Sequence, residues 1–74
     1  MDDATLLKCV GLAVRKRRVA LGYSQDTFAD VIGMHRAYFS SIERGERNIT
    51  LATFLKVTQG LNIKLGELLR TAGL

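Results

Sequence analysis

The chain has 74 residues, 47% of them apolar, with no proline, one cysteine and a formal net charge of +4. That length makes one small domain with a modest core, the apolar share excludes disorder, and a lone Cys9 excludes both an internal disulfide and a cysteine zinc site. No apolar run nears the ~20 residues that span a bilayer, and a pI of about 9.7 favours an anionic partner, nucleic acid ahead of membrane.

A single cysteine fits a reducing, cytoplasmic setting, and the opening Asp2-Asp3 is unlike the basic start of a signal peptide. No repeat, linker or low-complexity stretch divides residues 1–74. Glycines and small polar residues punctuate them into five short helical segments, an all-α pattern.

The first helix is expected over about residues 6–21. Val10, Val14, Arg17 or Arg18, and Leu21 follow helical spacing, and Gly22 is placed to end it in the left-handed conformation. The second is expected over about 25–32, with Ser24 as its N-cap and Phe28, Ala29 and Ile32 inward. Gly33 and Met34 form a tight connection to a third helix over about 35–44, which stops at Gly45. A loop over 46–49 leads to Thr50, a cap for a fourth helix over about 51–61. Its inward face reads as Leu51, Phe54, Leu55, Thr58 and Leu61, with Asn62 taking the left-handed exit. A short fifth helix, about 65–70, carries Leu65, Leu68 and Leu69. Gly11, Gly60 and Gly66 sit awkwardly in or beside helices, at up to ~1 kcal/mol each against alanine; close packing or fraying would account for them.

The third helix carries the chemistry. At 100° per residue, His35, Tyr38, Phe39 and Ile42 fall on one side and Arg36, Ala37, Ser40, Ser41 and Arg44 on the other, while Glu43 borders the core edge. The second face is small, polar and cationic, with no acid of its own. A solvated helix face more commonly mixes acids and bases at i,i+4. A DNA major groove asks for such a surface: Arg36 can grip guanine in a bidentate contact, Ser40 and Ser41 can bond to either base pair, and Ala37 can touch a thymine methyl. Tyr38, on the flank, can reach a phosphate. The second and third helices, joined near Gly33, read as a helix-turn-helix. Ser24 and Gln25, at the start of the crossing helix, then lie over phosphate.

The stretch "LGYSQDTFADVIGMHRAYFSSIERGERNITLATFLKVTQGLNIKLGELL" resembles the helix-turn-helix domain of the phage Cro and repressor family, also called the xenobiotic-response-element family. The resemblance covers roughly residues 10–70. It rests on Ser24-Gln25, Ala29, Gly33, Ile42-Glu43-Arg44-Gly45 and Leu61-Asn62-Ile63. It implies a five-helix, lambda-repressor-like fold. It also implies base reading by Arg36, Ala37, Ser40, Ser41 and Arg47, and backbone contacts from Ser24, Gln25, Tyr38, Arg44 and Asn48. An ion pair between Arg18 and Glu43 is implied too, and the wheel supports it independently, because a charge against the apolar stripe needs a partner.

Within that family, "HRAYFSSIERGERNITL" is similar to the controller proteins of restriction–modification systems, small homodimers that bind paired operator sites and time expression of the endonuclease gene. A stand-alone phage-type repressor is the alternative, as is an antitoxin that holds a toxin; the latter needs an added toxin-binding surface, and little chain lies outside the five helices. Two half-sites about 34 Å apart call for a twofold dimer. Ile63, Leu65, Leu68, Leu69 and Leu74 exceed what one small core needs, so the first four are the expected dimer interface.

Other residues carry plainer readings. His35 lacks companion metal ligands and suits a helix start, a phosphate contact or plain surface. Cys9 reads as a packing residue. The run Arg15-Lys16-Arg17-Arg18 either attracts phosphate or is a solvated face with one structural arginine, and Arg44 can grip phosphate or simply complement its helix C-terminus. No carboxylate pair, nucleophile–base set or phosphate loop suggests an enzyme. No cofactor, metal or small-molecule ligand is expected; double-stranded DNA and a second copy are.

Overall fold

The computed structural model describes all 74 residues. It contains five helices: α1 (Asp3–Ala20), α2 (Gln25–Val31), α3 (Arg36–Glu43), α4 (Leu51–Gly60) and α5 (Leu65–Thr71). Every expected helix is present, with most ends displaced by only one residue. The start of α1 is the main difference. Asp2 accepts a hydrogen bond from the Thr5 amide at 2.8 Å and caps the helix, which starts at Asp3, three residues earlier than expected. The same bond to Thr5 holds the Asp2 carboxyl below its usual range.

Side-chain caps also set the starts of α2, α3 and α4, whereas α5 begins at Lys64 without one. Ser24 accepts from the Thr27 amide at 3.1 Å and Thr50 from Thr53 at 3.1 Å. The exits use left-handed residues where the sequence offers them, Gly33 at φ 65° and Asn62 at φ 53°.

All five helices contribute to one core: Val10, Ala13 and Val14 on α1, Phe28 and Ala29 on α2, Phe39 and Ile42 on α3, Val57 on α4 and Leu68 on α5. Phe28 lies at its centre, its ring 5.0 Å from that of Phe39 and 5.6 Å, edge-on, from that of Tyr23. Three apolar residues expected inside are exposed: Leu21 at 40%, Leu51 at 65% and Leu55 at 40%. Leu21 is already in the cap of α1. In α4 the buried stripe runs through Phe54, Val57, Thr58 and Leu61. Val57, omitted from the expected set, rotates the inward face away from Leu51 and Leu55.

Two of the three awkward glycines are close-packing sites. A Cβ on Gly11 would lie 2.7 Å from the Ile42 carbonyl oxygen, so glycine lets α1 touch the end of α3. A Cβ on Gly60 would crowd Ile32 and the Phe28 ring. Gly66 has only the Arg70 guanidinium nearby, at 3.8 Å, and packing does not explain it.

Candidate nucleic-acid interface

The second and third helices form a helix-turn-helix whose turn is fixed from both ends. The Met34 amide donates to the Ala29 carbonyl at 2.8 Å. Gly33 supplies the left-handed residue, and Met34 packs against the core. His35 is the N-cap of α3, and its Nδ1 accepts from the Ala37 amide at 3.3 Å. Its role is therefore to start the helix, one of the readings its position allowed.

Phe39 and Ile42 anchor α3 from beneath. Arg36 and Ala37 stand exposed, and Ser40 is half-buried beside them. The Arg36 guanidinium lies 2.8 Å from an Asp26 carboxylate oxygen, with both side chains well exposed. The basic face thus has an acid at its border after all, supplied by α2. Arg44 is also exposed and bonds to Ser40 Oγ at 2.6 Å and to Glu46 at 3.0 Å.

Ser41 is not on the open face. It is buried, donates to the Tyr38 carbonyl at 2.6 Å and accepts from Arg47 Nε at 3.2 Å. The wheel misplaces it because the chain after α3 folds back over it: the Glu46 amide donates to the Ser41 carbonyl at 3.0 Å. The same fold-back brings Arg47 over the Tyr38 ring, 5.1 Å from its centre. Arg47 therefore has a defined place beside the helix although its loop has no regular structure. Asn48 follows it, exposed.

Beneath this surface lies a buried polar network. Arg18 donates through Nε and Nη2 to the two oxygens of Glu43 at 2.6 and 3.0 Å, and through Nη1 to the Tyr23 carbonyl at 2.8 Å. Gln25 adds a third donor to Glu43 at 2.8 Å. No buried side-chain polar atom lacks a partner. The expected Arg18–Glu43 pair is present. Gln25, expected at a phosphate, is half-buried and gives one amide N–H to Glu43. Ser24 remains exposed at the start of α2.

A second structural arginine escaped the sequence reading. Arg17 donates to the Leu61 and Asn62 carbonyls at 3.0 and 3.1 Å, closing the C-terminal end of α4. Its partners lie 44 and 45 residues away, beyond any local spacing signal.

The expected dimer residues divide. Leu68 is completely buried and belongs to the core, because α5 presents it to α1 and α4. Ile63, Leu65 and Leu69 are half-buried at the surface. An apolar hollow of about 350 Å³ opens nearby, with Leu6, Phe54, Leu69 and Leu74 in its lining.

A helix-turn-helix family model matches residues 14–68. Control protein C.SmaI from Serratia marcescens is 41% identical over 61 residues, spanning 82% of this chain and 73% of its own. Among solved structures, the restriction–modification controller protein C.AhdI from Aeromonas hydrophila is 40% identical with a TM-score of 0.80, covering 84% of this chain and 94% of that one. The controller protein C.Esp1396I, solved as a tetramer with its natural 35-base-pair operator, is 28% identical with a TM-score of 0.82, covering 90% and 88%. This chain belongs to the Cro/repressor-type helix-turn-helix family, among the control proteins of restriction–modification systems.

Proposed function

We propose that the protein is a sequence-specific transcription regulator that binds operator DNA as a homodimer and controls a restriction–modification operon. The observation that carries this reading is the Arg36–Ala37–Ser40 face of α3, exposed at Arg36 and Ala37 and half-buried at Ser40, held outward by a buried Phe39–Ile42 face within a helix-turn-helix. A groove-facing helix needs short side chains around one long donor, and this face has that composition. Arg36, Ala37 and Ser40 read bases, with Arg47 entering from the side. Ser24, Tyr38, Arg44 and Asn48 grip the backbone. Gln25 joins them through its second amide N–H, the first being given to Glu43. Ser41 acts from below, as the hydroxyl that holds Arg47.

Dimerisation brings two copies of α3 to successive turns of one groove. Half-buried Ile63, Leu65 and Leu69 and the adjoining apolar hollow form the surface that a second copy covers. The protein works where its DNA is, in the cytoplasm. It performs no chemistry of its own and carries no cofactor.

A binding selection on randomised duplex DNA at two salt concentrations tests this reading. A recovered palindrome with half-sites one helical turn apart is the expected outcome. Binding that depends on salt but not on sequence would overturn it.

A further inference from the structure

We propose that Asp26 is a specificity-determining residue that acts through Arg36, holding its guanidinium over the base edges and away from phosphate. The proposal rests on the reading of Arg36 as a base contact.

The ion pair between α2 and α3 brings Arg36 Nε to 2.8 Å from Asp26 Oδ1. The side chains are 62% and 73% exposed, and pairs so open contribute little to folding. Asp26 does suit the first turn of α2, where a negative charge complements the helix dipole. That preference is indifferent to where Arg36 points, so it leaves the pairing unexplained.

Each cation of the interface is held differently. Arg44 donates to Ser40 and Glu46, and Arg47 donates to Ser41 and lies over Tyr38. Arg36 meets Asp26 through Nε, at the stem side of its guanidinium, which leaves its terminal nitrogens Nη1 and Nη2 for a further partner. Those two donors form the end-on fork that matches guanine O6 and N7.

An unrestrained arginine at the edge of a groove has a competing choice. Phosphates lie on both sides, and a long flexible cation satisfies itself there on any sequence. A carboxylate beside the stem changes that balance in two ways. It removes part of the rotamer freedom that the bound arginine must otherwise give up. It also places a negative charge where the guanidinium would have to meet a phosphate, making that alternative repulsive. Asp26 thus lowers general DNA affinity and raises the share of binding that depends on base identity.

The test is the same selection on randomised duplex DNA, run with wild type, D26N, R36A and the double variant, with thermal melting of each to confirm folding. The readout is guanine enrichment at the positions that R36A loses, together with affinity for the unselected pool. For D26N, guanine enrichment should fall by about 1.4- to fivefold at those positions alone, the range expected of one exposed charge pair, while affinity for the unselected pool rises. In the R36A background the D26N change should leave the motif as it was. A D26N motif identical to wild type overturns the proposal and leaves the role of Arg36 standing. An equal loss from D26N in both backgrounds also overturns it, because Asp26 would then act through the fold. If R36A itself recovers the wild-type motif, the base-reading assignment of Arg36 fails and the role of Asp26 fails with it.

Discussion

Arg18 and Glu43 meet in a two-pronged pair, Nε to Oε2 at 2.6 Å and Nη2 to Oε1 at 3.0 Å, with side chains only 8% and 2% exposed. The pair ties the last turn of α1 to the last residue of α3 and draws Gln25 and the Tyr23 carbonyl into one network. Removing one member leaves the others charged or polar in the interior. Glu43→Ala should therefore cost about 3–5 kcal/mol, much of the ~5–15 kcal/mol that holds a domain together. Denaturant unfolding followed by circular dichroism measures this. A cost below ~1 kcal/mol would mean that the pair behaves as a surface salt bridge.

Gly11 lets α1 contact the Ile42 and Glu43 carbonyls directly. On helix propensity alone, Gly11→Ala would stabilise α1 by up to ~1 kcal/mol. The missing clearance should reverse the sign and destabilise by about 1–3 kcal/mol. A melting temperature above wild type would show that α1 and α3 separate more easily than their packing implies.

Ser41 and Arg47 test how the loop is held. Arg47→Ala should cost about 1–3 kcal/mol of operator binding if its guanidinium reaches a base. Ser41→Ala keeps that cation and removes only its buried acceptor, so its cost should be about 0.5–1.5 kcal/mol, with the recognised motif unchanged. Fluorescence anisotropy on the selected operator compares the two. A Ser41→Ala variant that alters base preference would restore Ser41 as a direct reader.

Leu68 and its neighbours separate core from interface. Leu68→Glu should fail to fold, because it places a charge in a fully buried position. The double change Leu65→Glu and Leu69→Glu modifies half-buried positions, and should leave the helical spectrum intact while sedimentation reports a monomer. A folded variant that remains dimeric would move the interface to another surface, with the exposed Leu51 and Leu55 the next candidates.

The fold was legible because its signals are local. Ser24, Thr50, Gly33 and Asn62 each act within a few residues, and the helices they delimit appear where expected. Half of the candidate interface face was legible for the same reason, since a wheel separates Arg36, Ala37 and Ser40 from the buried Phe39 and Ile42. What escaped depends on chain returning from a distance. Ser41 is covered by the turn that follows its own helix, Arg17 caps a helix 44 residues ahead, and Asp26 reaches Arg36 across the helix-turn-helix. Leu68 was misassigned for a related reason: a count of leucines cannot show which one α1 and α4 enclose.

The contact at Gly11 leaves the distal end of α3 without room to shift, while Arg36 and Ala37 at its start stand in solvent. Open and clamped positions thus lie at opposite ends of a single eight-residue helix. Arg36, Ala37 and Ser40 can be exchanged as a set without loosening Ile42, Glu43 or the glycine that clamps them. If Arg36, Ala37, Ser40 and Arg47 read bases as proposed, the molecule is a chassis for retargeting: new operators are reached by rewriting those positions, while folding stability rests on Ile42, Glu43 and Gly11.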